Sequence, residues 1–220
     1  MNLLTITVCV DYSDILSICI QKNIKNLKNW HIITSSKDID TQNLCTKYSL
    51  PFFITNLFYK NKSAFNKAAA LNDFVANRIV PNIENIDWIL LLDSDIIIND
   101  SVEHIEKLYY SGKLSHQNLY SCPRLIFDNY TEFQNNGGYL EKRIDFNGYF
   151  QLFNIEKIKN QLQSKSAIFR EYIDASKYDD WFRDQYWPNY QNRTVINKTV
   201  FHLGPIRQNW AGRKTPQWNT

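Results

Sequence analysis

Two aspartates one residue apart carry the strongest chemical signal in this sequence. Asp93 and Asp95 close the run Trp88-Ile89-Leu90-Leu91-Leu92-Asp93-Ser94-Asp95. Five unbroken apolar residues are the pattern of a strand buried on both faces of a sheet. Two unpaired like charges at the end of such a strand are costly, so they are expected to meet a cation at the sheet's edge. Oxygen donors suit hard divalent ions, Mn²⁺ or Mg²⁺, which keep positions open for water or phosphate oxygens. The plainer alternative has Asp93 capping the next turn and Asp95 solvated.

A second carboxylate pair lies in Tyr178-Asp179-Asp180-Trp181-Phe182-Arg183-Asp184. At a helix start both acids gain from the helix dipole, and capping alone would account for them. In a site, one of them would be a general base that takes the proton of an attacking hydroxyl. His202 ends the last apolar stretch before Leu203-Gly204, where it is either a structural histidine or a nitrogen ligand for the same ion. His31, His104 and His116 have no comparable setting and read as surface residues. Lys67, Arg207 and Arg213 are candidate phosphate contacts, with solvated surface cations as the simpler alternative. Phosphatases of the haloacid dehalogenase type also put a carboxylate pair after a strand, but Ile96-Ile97 stand where their Gly-Thr lets the backbone approach phosphate.

The elements that must position these groups follow from periodicity and punctuation. Strands are predicted at residues 5–10, 30–34, 51–54, 88–92, 119–126, 146–153 and 195–202. Helices are predicted at 13–26, 39–47, 63–79 (with Ser63 as its cap and Pro81 beyond its end), 100–112, 155–163 and 178–187. Strand–helix alternation over the first half predicts an α/β fold, a mostly parallel sheet with helices on both faces and a small antiparallel portion on the acceptor side. Ligands of such sheets bind past the carboxyl ends of strands, where Asp93, Asp95 and His202 fall.

Composition agrees with a globular chain. The 220 residues are 44% hydrophobic and 21% charged, with 25 Lys+Arg against 22 Asp+Glu, a net charge of +3. That balance argues against a polycationic nucleic-acid binder, so no nucleic acid is expected as partner. No apolar run approaches the ~20 residues of a transmembrane segment. Cys9, Cys19, Cys45 and Cys122 show no C-x-x-C pair and sit in apolar surroundings, as reduced buried thiols do; with no signal-peptide pattern, the expected location is cytoplasmic.

Taken in order, these features resemble the nucleotide-sugar-dependent glycosyltransferases of the GT-A fold, most closely glycosyltransferase family 2. Val10-Asp11-Tyr12-Ser13 is similar to the family's first strand end, where Asp11 and Tyr12 would meet the nucleotide base. Asn66-Lys67-Ala68-Ala69-Ala70-Leu71-Asn72 looks like its G-K-A-x-A-L-N segment, with Lys67 and Asn72 beside the donor. Leu91-Leu92-Asp93-Ser94-Asp95 matches its D-x-D strand, and Gly148-Tyr149-Phe150-Gln151-Leu152-Phe153 resembles the strand bordering the acceptor pocket. Three departures stand out: Ile33-Thr34-Ser35-Ser36 replaces V-D-D-G-S, leaving Asp38 as the substitute acid; Asn66 replaces Gly; and Asp179 replaces Glu.

The resemblance implies an enzyme that moves a sugar from a UDP- or GDP-sugar to the hydroxyl of a glycan or other acceptor, with inversion. Asp93, Asp95 and His202 would hold the metal; Asp11, Tyr12, Lys67, Asn72, Asp93 and Ser94 would bind the donor. Asp180 would be the base, with Asp179 as the second candidate. Residues 1–112 would form the nucleotide-sugar half and 113–203 the acceptor half of one domain, with acceptor choice in the 128–143 loop. The aromatic tail at 204–220, with Trp210 and Trp218, would be a lid over the donor or a plug at the sheet end. Two other classes compete. A sugar-phosphate nucleotidyltransferase would need a Gly-rich basic loop where Asp11-Tyr12-Ser13-Asp14 stands. A non-catalytic carbohydrate-binding domain would explain the aromatics but not two carboxylate pairs.

Overall fold

A computed structural model describes residues 1–141, 144–164, 167–206 and 208–218. Among the described residues, eleven strands and seven α-helices follow in the order β1 (Leu3–Val8), α1 (Ser13–Asn23), β2 (Trp30–Thr34), α2 (Ile39–Lys47), β3 (Phe52–Ile54), α3 (Lys67–Phe74), β4 (Trp88–Leu92), β5 (Ile96–Ile97), α4 (Ser101–Tyr110), β6 (Leu119–Ser121), β7 (Arg124–Phe127), α5 (Tyr130–Gln134), β8 (Tyr139–Leu140), β9 (Phe150–Asn154), α6 (Lys159–Gln163), α7 (Tyr178–Tyr186), β10 (Arg193–Val195) and β11 (Val200–Leu203).

The main sheet has the order β10-β6-β9-β4-β1-β2-β3. Strands β4, β1, β2 and β3 run parallel, and β9 is antiparallel to both β4 and β6. The apolar run of β4 is explained by two cores. Ile89 and Leu91 join α3 and α7 on one face, among Ala68, Leu71, Phe74, Phe182 and Trp187. Trp88, Leu90 and Leu92 join Leu16 and Ile20 of α1 and Ile105 of α4 on the other. With a helix layer on each side, every residue of the strand is buried, which removes the alternation a half-exposed strand would show.

A smaller sheet, β5-β11-β7-β8, stands beside the first. Two of its pairings are antiparallel and the β11–β7 pairing is parallel. Its existence splits two strands expected to be continuous. Residues 119–126 break at Cys122-Pro123, because proline offers no ladder N–H, so β6 stays in the main sheet and β7 enters the small one. Residues 195–202 divide likewise into β10 and β11.

The expected 63–79 helix begins later. Asn66, not Ser63, is its cap, with Oδ1 accepting from the Ala69 N–H at 2.9 Å, and the regular helix ends at Phe74 before a π-turn at Val75–Ile79. Cys9, Cys19, Cys45 and Cys122 are buried and unpaired, as expected. Among the described residues no helix is long and apolar enough to cross a membrane.

Candidate functional site

The carboxyl ends of β1 and β4, the β5–β11 pairing, the 145–149 loop and the start of α7 surround one cleft of about 670 Å³. The cleft brings together Tyr12, Lys67, Asp93, Ser94, Asp95, Asp179, Asp180 and His202, as well as Arg124, Asn147, Gly148, Tyr178 and Arg183.

Backbone pairing explains why a histidine more than a hundred residues downstream reaches Asp95. His202 pairs with Ile96 across β5–β11, and the Leu203 N–H donates to the Asp95 carbonyl at 2.8 Å. This sets His202 Nε2 3.6 Å from Asp95 Oδ2. His202 Nδ1 lies 2.9 Å from the Gly204 carbonyl, which can only accept, so Nδ1 carries the proton and Nε2 presents a bare lone pair. Burial, reinforced by the Arg124 charge, pushes the His202 pKa down to about 4, so the ring is neutral. Burial raises Asp95 to about 6, and its Oδ1 is buried without a hydrogen-bond partner. Two electron-rich atoms therefore face each other with no proton between them. A divalent cation is the group this donor set fits, one carboxylate and one neutral imidazole oriented by a backbone carbonyl.

Asp93 is placed differently. It accepts an ion pair from Lys67 Nζ, and Lys67 also lies over the Tyr178 ring at 5.1 Å. Burial opposes the lysine charge, but Asp93 and Tyr178 outweigh it and hold the ammonium protonated. Asp93 is thus already compensated by a fixed cation, which leaves Asp95 and His202 as the pair open to a metal ion. Among the described residues no three acidic, histidine or cysteine side chains converge on one point.

The acidic pair at α7 divides into two settings. Both oxygens of Asp179 accept backbone N–H groups, Oδ2 from Gly148 at 2.7 Å and Oδ1 from Asp180 at 3.0 Å, and burial raises its pKa to about 6. Asp180 is 48% exposed, and its Oδ1 accepts from Arg183 at 2.7 Å. Arg183 also donates to the Asp145 carbonyl at 2.7 Å and Asn147 Oδ1 at 3.1 Å, tying the cleft loop to α7. Gly148 is required here, because a Cβ would come within 2.5 Å of Tyr178 Oη.

Several residues expected to meet the donor are placed otherwise than at the cleft or have their polar atoms engaged within the chain. Asn72 does not line the cleft. Its Nδ2 donates to the Phe169 carbonyl at 2.8 Å, and its Oδ1 accepts from the Ile168 and Phe169 N–H groups, each at 3.0 Å, so it clamps a neighbouring segment. Asp11 does not line it either. It adopts φ 63° and contributes backbone, its N–H donating to Asp38 Oδ2 at 2.8 Å. Asp38, the substitute for the missing base-reading acid, commits its carboxylate to Asp11, Thr34 and Thr41. Arg213 has all five N–H donors engaged, by Asp14 and by the carbonyls of Asp11, Thr215 and Pro216, while its guanidinium lies 4.7 Å from the Tyr12 ring. Arg207 lies outside the described residues, as do Lys142 and Arg143 at the end of the acceptor loop.

The two tail tryptophans are placed differently. Trp218 is buried beside Ile15, Phe127 and Leu203, whereas Trp210 lines the cleft and is 46% exposed. Sequence reasoning missed Arg124 and Arg183. Arg124 follows Pro123 directly, and reading that proline as the strand break would have placed the arginine at a strand start beside the cleft.

Searches against protein-family models and curated proteins return no match. Solved structures do match. Glucosyl-3-phosphoglycerate synthase from Mycobacterium tuberculosis, in complex with uridine diphosphate, superposes with a TM-score of 0.55 at 12% identity over 94% of this chain and 72% of its own. Its fold is GT-A-like. The same mycobacterial enzyme has also been solved with Mn²⁺, UDP-glucose and phosphoglyceric acid. A cytidylyltransferase from Leptospira borgpetersenii shares the GT-A-like architecture, with a TM-score of 0.51 at 13% identity over 99% of this chain and 82% of its own. A further mycobacterial protein matches at TM-score 0.55 and 11% identity over 91% of this chain, which spans 64% of that protein's length.

Proposed function

We propose that this chain is a metal-dependent glycosyltransferase that transfers a sugar from a nucleoside-diphosphate sugar, UDP- or GDP-linked, to an acceptor hydroxyl with inversion. The observation that carries the proposal is the Asp95–His202 pair, with the carboxylate Oδ2 and the bare Nε2 3.6 Å apart, in the same cleft as Asp180. A divalent ion held by that pair would supply the charge neutralisation that a departing diphosphate needs.

The chain's own residues account for the other steps. Tyr12 and Phe65 offer ring surface on the nucleotide side of the cleft, and Ser94 lies between the two acids. Asp180 accepts the proton of the acceptor hydroxyl as its oxygen attacks the anomeric carbon. The bond from that carbon to the diphosphate oxygen breaks with its electron pair moving to the phosphate, opposite the incoming oxygen. Asp179, with both oxygens taken by backbone N–H groups, positions Asp180 and the 147–148 turn. Arg183 holds the Asp180 carboxylate in place through its contact to Oδ1 at 2.7 Å. Trp210 gives the acceptor an aromatic face suited to sugar C–H surfaces.

The test is a panel of nucleotide sugars incubated with the chain and Mn²⁺, assayed for nucleoside diphosphate. Release from one donor, accelerated by an acceptor, is the expected result. Pyrophosphate formed from a nucleoside triphosphate and a sugar phosphate would instead assign nucleotidyl transfer, and binding of glycans without turnover a carbohydrate-binding role.

A further inference from the structure

Three arginines line the cleft among the described residues, and they differ in what their donors touch. Arg213 has no N–H left over, and Arg183 is bound to Asp180, Asp184, Asn147 and the Asp145 carbonyl. Among the described residues Arg124 donates through Nε alone, to Glu141 Oε2 at 2.5 Å, and neither of its Nη groups meets an acceptor there. Its side chain is 11% exposed. The guanidinium carbon lies over Tyr149, 4.2 Å from the ring centroid, and the Tyr149 hydroxyl is itself fixed to the Cys122 carbonyl at 2.6 Å. Ring and carboxylate therefore hold the guanidinium from two sides, and Arg124 lines the cleft together with Asp95 and His202.

We infer that Arg124 is an oxyanion-binding residue of this cleft, whose two Nη groups receive oxygens of a phosphoryl group. A buried guanidinium whose four Nη N–H donors meet no acceptor among the described residues is matched by a bidentate anion, and two oxygens of a phosphoryl group supply one. Glu141 balances the charge without occupying the fork, so the site is built before the ligand arrives. The inference deepens the glycosyltransferase proposal and rests on it for the source of the phosphoryl group, which is either the donor's diphosphate or a phosphorylated acceptor.

Calorimetric titration with inorganic pyrophosphate, with and without Mg²⁺, tests the site independently of turnover. Wild type should bind, Arg124→Gln about ten- to a hundredfold more weakly, and Arg124→Lys between them, since lysine keeps the charge but not the fork. Arg124→Lys retains the Glu141 pairing and serves as the folded control, checked by thermal melting. Equal affinity in wild type and Arg124→Gln, or no pyrophosphate binding by wild type, overturns the inference. Two further arms locate the source. Weaker binding of nucleoside diphosphate with nucleoside monophosphate unchanged places Arg124 on the donor. A raised KM for phosphorylated acceptors alone places it on the acceptor. If the pyrophosphate result holds but no nucleotide sugar is hydrolysed, the oxyanion site stands and the glycosyltransferase proposal fails.

Discussion

Asp179 and Asp180 are neighbours in sequence, yet hydrogen bonding gives them different work. Asp180→Asn keeps the side-chain shape and a contact to Arg183 but cannot take a proton, so transfer should fall about 10²- to 10⁴-fold while donor binding stays within a factor of two; initial rates and calorimetry check both halves. Transfer at near wild-type rate would move the base elsewhere. Asp179 makes a prediction about stability. Burial raises it from 3.8 to about 6, so between those values the folded chain holds a proton that the unfolded chain releases. Its contribution to stability therefore falls as pH rises through that window and is constant above it. Asp179→Asn removes this dependence. In urea denaturation, the difference between variant and wild type should move in the variant's favour from about pH 4 to about pH 6.5 and then level off. A difference independent of pH would contradict the raised value.

At the scale of elements, the most legible features were those that local chemistry decides alone. The unbroken apolar run of β4 reads as a strand covered on both faces, and it sets Asp93 and Asp95 at the strand's carboxyl end, at the rim of the sheet. The start of α3 was less legible, because Ser63 and Asn66 are both good caps. The choice fell to Asn66, whose amide also reaches Glu171 Oε2 at 3.4 Å, a contact across 105 residues that no local pattern shows. The cap is worth about 1 kcal/mol. Asn66→Ala should lose that amount in urea denaturation and loosen Lys67 from Asp93, whereas Asn66→Gly should cost only a few tenths. Arg124 and Arg183 were harder to read for a different reason: an isolated arginine has no spacing to recognise, and its role depends on what the fold brings to its donors. Asn72 shows the converse, a residue in a recognisable segment whose amide the fold has taken for structure.

The whole molecule is closed by its tail. Arg213 grips Asp14 from 199 positions away, stacks on Tyr12, and brings the Trp218 N–H within 2.6 Å of Asp14 Oδ2. Although burial alone would raise it, these contacts hold Asp14 below the ordinary carboxylate range, so the clasp stabilises the fold at neutral pH and weakens as pH falls through that depressed value. Arg213→Ala strands a partly buried carboxylate and should cost about 3 kcal/mol, while Asp14→Ala combined with Arg213→Ala should cost clearly less than the sum of the single changes. Additive losses would mean that the two ends of the chain are not coupled through this pair.

The most direct measurement of the central claim is Mn²⁺-dependent release of nucleoside diphosphate from nucleotide sugars by the wild type and Asp95→Ala. The account predicts release by the wild type that chelator abolishes and Mn²⁺ restores, and at least a hundredfold loss in Asp95→Ala with the fold intact by circular dichroism. Undiminished release by Asp95→Ala, or release indifferent to chelator, would contradict it.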